Sequence, residues 1–464
     1  MPGESYDVVL LGGGTGGYAA AFRGAQLGLK VAVVEKDKVG GTCLHRGCIP
    51  TKALLKSGSV ARLMRDGAQY GVTATGIEID YSKAIERSGR IVEQNYKGLQ
   101  FLFRKHKIDI YEGVGRLKDN RTVIVTKADG STEEVKGNAI IIDTGSRPRA
   151  IPGIEFDGKR VINSDHSTWS PDLPKRVIIR GGGATGVEFA TIYRDFGCEV
   201  TLVGRVVPNE DREVSQQLTR SFTKAGIKII PDYRPTAEDF NITEGGVELR
   251  VKRDGKEERI EADTLLVAIG RQGNIEDIGL EELGIKTKDS YIVTDDFGFT
   301  GVDGVYAIGD VIGKQLLAHT AMHQGIIVME LLAGKKPMPL DLKKVPSVTF
   351  CHPEIGSVGL TEEEAKAEGR TIKVGKFPLR ANGKALIEDE VDGFAKVIAD
   401  AETDEILGVH IIGGHATELI GEAALASLLE ATPWEIGLSV HPHPTISEVL
   451  GEAALAVDGM AIHI

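Results

Sequence analysis

SYDVVLLGGGTGGYAAAFRGAQLGLKVAVVEKD, Ser5 to Asp37, decides the fold. An apolar run, Tyr6 to Leu11, reads as a short buried strand. Gly12, Gly14 and Gly17 follow in GxGxxG spacing, a helical run reaches Leu27, and a second strand ends in Glu35. A lone glycine triplet is a weak signal; strand, glycines, helix, strand and terminal acid in order make the whole dinucleotide-binding unit. The glycines let the backbone approach a pyrophosphate at the helix N-terminus, and Glu35 is placed to accept ribose hydroxyls.

The unit recurs in KRVIIRGGGATGVEFATIYRDFGCEVTLVGR, Lys175 to Arg205, with Gly181, Gly183 and Gly186 after the strand Arg176 to Arg180. Laying Gly12 on Gly181 puts Val31 on Val200 and Glu35 on Gly204, so the second unit lacks the ribose acid and carries Arg205 beside the vacancy. Two such units imply two dinucleotides, or one and a degenerate copy.

Just past the first unit stands GGTCLHRGCIPTK, Gly40 to Lys52. Its flanks read as helix, yet an ideal helix separates Cys43 and Cys48 by about 7.5 Å of rise. A disulfide needs Cα atoms roughly 4.4–6.8 Å apart, so bridging them requires a local distortion, for which Gly47 and Pro50 are suited. A structural bridge or half a metal site competes with a redox pair; both recede because Cys198 and Cys351 stand alone and read as small core residues. A dithiol beside a dinucleotide unit suggests electrons passing between them through a flavin.

Elsewhere, 113–134 alternates like hairpin strands and Ala139 to Gly145 (AIIIDTG) reads as a closing strand. GVYAIGDV places Asp310 after a strand and a glycine, where it could reach a sugar hydroxyl or simply form a turn. From Pro346 onward, FAKVIAD and ILGVHII precede Ala- and Leu-rich helices. HPHPTISEVLGEAAL puts His441 and His443 before the last helix; Thr445 and Glu448 have capping-box spacing, so Glu448 reads equally as a cap or as the carboxylate orienting His443. The 464 residues carry 55 basic and 67 acidic side chains, net −12, which argues against nucleic acid as a partner. No apolar run reaches membrane-spanning length and no signal stretch fits before the first strand, so a cytoplasmic location and no membrane partner are expected.

GGTCLHRGCIPTKALL, the paired GxGxxG units, GVYAIGDV with LLAHTA after it, and HPHPTISE together resemble the dihydrolipoyl dehydrogenases of the flavin disulfide reductase family, over essentially the whole chain. The resemblance implies an α/β chain with two Rossmann-like dinucleotide-binding domains, a central domain and a C-terminal α+β dimerisation domain: 1–147 for FAD, 148–270 for NAD, 271–345 completing the FAD site, and 346–464 as the interface of a homodimer. It implies oxidation of dihydrolipoyl arms on lipoyl domains of 2-oxo acid dehydrogenase complexes, or on the glycine-cleavage carrier protein. Cys43 would exchange with substrate, Cys48 would lie beside the flavin, and His443 with Glu448 would come from the partner subunit. Lys52, paired with Glu188, would lie near the flavin. Gly115, Thr144, Gly145, Asp310 and the segment Leu317, Ala318, His319 would complete the FAD site; Gly270 and Arg205 would complete the nicotinamide site. Alternatives are a glutathione- or mycothiol-type reductase, or a non-catalytic complex subunit; the flank Ala53-Leu54-Leu55 resembles the lipoyl enzymes. Departures from the family pattern are Asp143, Thr185, Gly273, His45, Arg46 and a short turn after VTLV. With Gly204 in the acid's place, NAD is the family default and NADP is expected to be tolerated.

Overall fold

The computed structural model describes residues 5–253 and 256–464. The chain forms two compact units: Met1–Ala53, Ser82–Arg149 and Gly270–Leu340 make one, and Leu54–Tyr81, Ala150–Ile269 and Asp341–Ile464 the other.

The first unit is built on a seven-stranded sheet. Strand Ser5–Leu11 lies between Val31–Glu35 and Thr132–Ile142, parallel to both, and Asp109–Glu112 and Val305–Ala307 extend the parallel part. The expected closing strand starts earlier, at Thr132: its first half pairs antiparallel with Thr122–Thr126, and its second half enters the parallel sheet. Central strands buried on both faces explain the unbroken apolar runs VVLL and AIII. Helix Thr15–Gln26 buries a stripe of small residues, Gly16, Gly17, Ala20, Ala21 and Gly24. Against it lies helix Ala318–Leu332, whose Gly325 could not carry a Cβ, which would sit 2.7 Å from the Gly16 carbonyl oxygen.

The second unit holds a five-stranded parallel sheet in the order Lys228–Ile230, Glu199–Val203, Arg176–Arg180, Thr264–Val267, Val161–Ile162. It also holds a five-stranded antiparallel sheet, in which FAKVIAD and ILGVHII pair as Phe394–Asp400 and Ile406–Gly413. Both strands are buried along their whole length, covered by helices Ala416–Leu428 and Glu448–Ala456 among others. Among the described residues no helix is long and apolar enough to cross a membrane.

Candidate active site

Glycine is obligatory at both ends of the first cradle. Gly12 has φ +113°, and a Cβ there would lie 2.1 Å from the Asp143 carbonyl oxygen; a Cβ on Gly17 would lie 2.3 Å from the Gly12 carbonyl oxygen. Gly14 opens helix Thr15–Gln26, whose N-terminus is the end that favours a pyrophosphate. Glu35 folds back on the cradle: Oε2 accepts from the Gly13 N–H (2.8 Å) and Oε1 from the Asp37 N–H (2.9 Å). Thr144 donates through Oγ1 to the Asn274 carbonyl (2.7 Å), and Gly145 turns with φ +69° over open space. Asp310 accepts from Ser146 Oγ, with Arg271 Nε 3.7 Å away. Leu317 caps helix Ala318–Leu332, whose first turn carries His319. Gly115 lies in strand Val114–Asp119 over Leu11 and Val34, where any side chain would collide with theirs. A strained backbone opening into free space at a helix N-terminus fits a dinucleotide such as FAD.

Asp143 occupies this cradle as well. It is fully buried, and its Oδ2 accepts the Gly17 N–H at 2.6 Å. Burial pushes its carboxyl well above the usual range, with Asp310 and Glu35 adding to the rise and the Gly17 bond opposing it. The duplicated unit holds Ala268 at the matching place, below Gly181.

The dithiol abuts the cradle. The Gly40 N–H donates to the Gly13 carbonyl (2.7 Å), and a Cβ on Gly41 would lie 2.8 Å from Gly14 Cα. The distortion expected between the cysteines is a break between two helices, Gly41–His45 and Cys48–Asp66, with Arg46 and Gly47 at the break. Gly47 serves by close approach, since a Cβ there would lie 3.3 Å from Cys43 Cα. Pro50 is not a breaker: it sits in the first turn of the second helix, where a missing N–H costs nothing. Cys43 and Cys48 are hydrogen-bonded to one another; that bond and burial push the Cys43 thiol up, while Lys52 opposes the rise. Tyr18, on the cradle helix, lies near both sulfurs and is pushed up to about 12 by burial and by them. His45 anchors the loop through Nε2 to the Val39 carbonyl (3.0 Å) and its ring against Tyr96. Cys198 and Cys351 are buried core residues.

The second cradle repeats the first. Gly181 has φ +114° with a would-be Cβ 2.2 Å from the Ala268 carbonyl oxygen, Gly186 is held against the Gly181 carbonyl, and Gly183 opens helix Ala184–Asp195 with nothing within 4 Å of its missing Cβ. Gly270 turns at φ +113° beyond the strand. Arg205, next to Gly204, pairs its Nε with Asp232 Oδ1 at 2.6 Å, and both side chains are largely exposed. On the same helix Glu188 is buried, and its Oε1 accepts the Phe350 N–H at 3.0 Å.

Near the C-terminus Glu448, the first residue of helix Glu448–Ala456, holds a different partner on each oxygen. Glu448 Oε2 accepts the Thr445 N–H (2.9 Å) and Oε1 meets His443 Nδ1 (2.9 Å). Thr445 Oγ1 donates to the Pro442 carbonyl, and Ser447 at the N-cap makes no side-chain cap bond, so no capping box forms there. His443 is 78% exposed, leaving Nε2 accessible. His441 is different: its Nε2 meets Glu422 Oε1 at 2.9 Å in a nearly buried contact, and Glu422 raises its pKa. Glu422, 19 residues earlier in the chain, is brought to His441 only by the fold.

Gly273 is required: a Cβ would lie 2.5 Å from the Ser290 carbonyl oxygen.

Residues 6–325 match the model of the pyridine nucleotide-disulphide oxidoreductases, and residues 345–454 match that family's dimerisation domain. A dihydrolipoyl dehydrogenase of Bacillus subtilis is 48% identical, with 99% of both chains covered. A mitochondrial dihydrolipoyl dehydrogenase of Arabidopsis thaliana is 40% identical over 99% of this chain and 92% of its own. Among solved structures, LpdA from Mycobacterium tuberculosis superposes with a TM-score of 0.89 at 27% identity, covering 96% of this chain and 98% of that one. The flavoprotein disulfide reductase RclA from Escherichia coli superposes with a TM-score of 0.86 at 27% identity, covering 97% and 99%. With its two glycine cradles, its adjoining dithiol and these full-length likenesses, the chain belongs to the pyridine nucleotide-disulphide oxidoreductase family.

Proposed function

We propose that this protein is a dihydrolipoyl dehydrogenase, oxidising protein-bound dihydrolipoyl groups to the lipoyl disulfide and reducing NAD. The observation that carries the reading is the packing of Gly41 on Gly14, which sets the Cys43–Cys48 pair against the first dinucleotide cradle. The relatives' shared name supports the choice of substrate. Gly12, Gly14, Gly17, Glu35, Thr144, Gly145 and Asp310 hold FAD, and Gly181, Gly183, Gly186 and Gly270 hold the nicotinamide dinucleotide. When bound, FAD relays two electrons from the cysteine pair to NAD.

One substrate thiolate attacks Cys43 of the Cys43–Cys48 disulfide, and Cys48 leaves as a thiolate. The second substrate sulfur displaces Cys43 and closes the lipoyl ring. The substrate loses two electrons and two protons, and the cysteine pair gains the electrons. His443 takes one of those protons at Nε2, its other nitrogen held by Glu448, and the second proton goes to Cys43, which leaves as a thiol. This pair serves the dithiol of a second subunit in a homodimer. Large exposed apolar side chains in the C-terminal segment, among them Leu425, Leu428, Leu429, Leu438 and Val440, support that association. The arm belongs to lipoyl domains of cytoplasmic 2-oxo acid dehydrogenase complexes or a glycine-cleavage carrier.

Turnover of dihydrolipoamide with NAD, compared with that of glutathione disulfide with NADH, tests the reading. Dihydrolipoamide should be the far better substrate, and preferential use of glutathione would overturn it. Capture of lipoylated proteins by the holoenzyme then identifies the carrier.

A further inference from the structure

The two cradles invert their charge at the position that meets a dinucleotide's adenosine ribose. Overlaying Gly12 on Gly181 sets Leu11 against Arg180 and Glu35 against Gly204. In the first cradle the strand ends in an apolar side chain and the next strand ends in an acid; in the second the strand ends in a guanidinium and the acid is gone. The turns differ too. An N–H donates to the second cradle glycine's carbonyl at 2.7 Å in both, from Gly40 to Gly13 and from Val207 to Gly182. The second turn therefore closes sooner after its strand.

Arg180 has no ordinary reason to be where it is. Its Nη1 lies 3.6 Å from the place a Gly204 Cβ would occupy, and its Nε is buried without a hydrogen-bond partner. Arg234 stands close enough that its charge, added to burial, holds the Arg180 guanidinium below its usual range. Arg205 adds a third cation, and Asp232 is engaged with Arg205. A half-buried guanidinium with an orphan N–H and a second, exposed one of like charge beside it are unfavourable by themselves, and a bound dianion relieves both. The guanidinium fork suits phosphate oxygens.

We infer that Arg180 and Arg234 form a phosphate site beside Gly204 that receives the 2′-phosphate of NADP-type dinucleotides. The inference rests on the second cradle being the nicotinamide half. An acid at the end of this strand would repel such a phosphate; here that repulsion is absent and an attraction replaces it.

Calorimetric binding of 2′,5′-ADP and of 5′-AMP to the FAD-loaded enzyme tests it without turnover. The 2′-phosphate should tighten binding roughly tenfold or more, as expected of one good charge-assisted contact. Arg180→Leu, which copies Leu11 of the first cradle, should bring the two affinities together. Arg234→Ala, at an exposed position that cannot unfold the chain, should narrow the gap severalfold, and the ratio of kcat/KM for NADP over NAD should fall in parallel. Binding of 5′-AMP and NADH with no gain from the 2′-phosphate, or a gain that survives both substitutions, would overturn this inference alone. Failure of either adenylate or NADH to bind would overturn the assignment of the second cradle as well.

Discussion

At the scale of single residues, the chemistry depends on how a few polar atoms are shared. Glu448, the first residue of the last helix, divides its carboxylate between the Thr445 N–H and His443, so the ring is oriented from the start of that helix. His443→Gln should keep its FAD, fold normally and lose about 10²–10⁴-fold in dihydrolipoamide turnover, the usual contribution of general acid–base catalysis; stopped-flow reduction of the flavin measures it. Asp143 presents the opposite case, a buried carboxyl that accepts a hydrogen bond from Gly17 and whose neighbours Asp310 and Glu35 are acidic. Its folded pKa is raised above the unfolded value of 3.8, so the stability linked to its proton is fully present below that value and is lost as pH rises through the folded one. Asp143→Asn keeps the acceptor for Gly17 and removes the charge. Compared with the parent, it should gain stability progressively as pH rises from about 4, reaching on the order of 1–3 kcal/mol. It should also hold FAD more firmly, because the pyrophosphate is an anion at the same helix end. Thermal unfolding across pH and FAD release rates check both; a difference that does not vary with pH would contradict the account.

At the scale of elements, one buried cluster fastens the turn after the second cradle to the C-terminal sheet. Lys396, 1% exposed in strand Phe394–Asp400, donates to Asp211 (3.0 and 3.1 Å) and to Glu362 (2.7 Å), and lies 3.0 Å from Glu213. Hydrogen bonds to these acids hold its ammonium well above the usual lysine range against burial, and Lys366 and Lys396 hold Glu362 down to about 2. Asp211 also caps helix Arg212–Lys224, accepting the Glu213 N–H at 3.0 Å. Lys396→Met leaves that buried carboxylate without its cation and should cost about 3–5 kcal/mol at neutral pH, the usual consequence of halving a buried ion pair. Chemical denaturation at pH 7 and pH 5 should show a smaller loss at the lower pH, where the orphaned acids take up protons.

For the molecule as a whole, the proposed homodimer makes a prediction that no single subunit can satisfy. Each site would take Cys43 and Cys48 from one chain and His443 with Glu448 from the other. Mixing Cys43→Ser with His443→Gln subunits yields a heterodimer with one intact site and one doubly damaged site. Activity of purified heterodimers should recover to roughly half the parent level if the two sites are independent; heterodimers as inactive as either homodimeric variant would rule out a shared site.

The sequence by itself determined what depends on local pattern: both cradles, because a strained turn under a carbonyl admits only glycine, and the dithiol, because two cysteines beside such a turn stand out. It also determined that Gly204 leaves an acid's place empty. Only the tertiary structure decided which charges answer each other. Arg205 stands next to the vacancy in sequence yet turns to Asp232, while Arg180, behind the first glycine of its cradle, points at the empty place. His441 and His443 look alike in HPHP, and only Glu422, from another helix, separates the anchored ring from the accessible one. Backbone geometry is written in neighbours along the chain, whereas the partner of a charged side chain is set by which strands and helices lie within a few ångströms of it, and that depends on the packing of the whole unit.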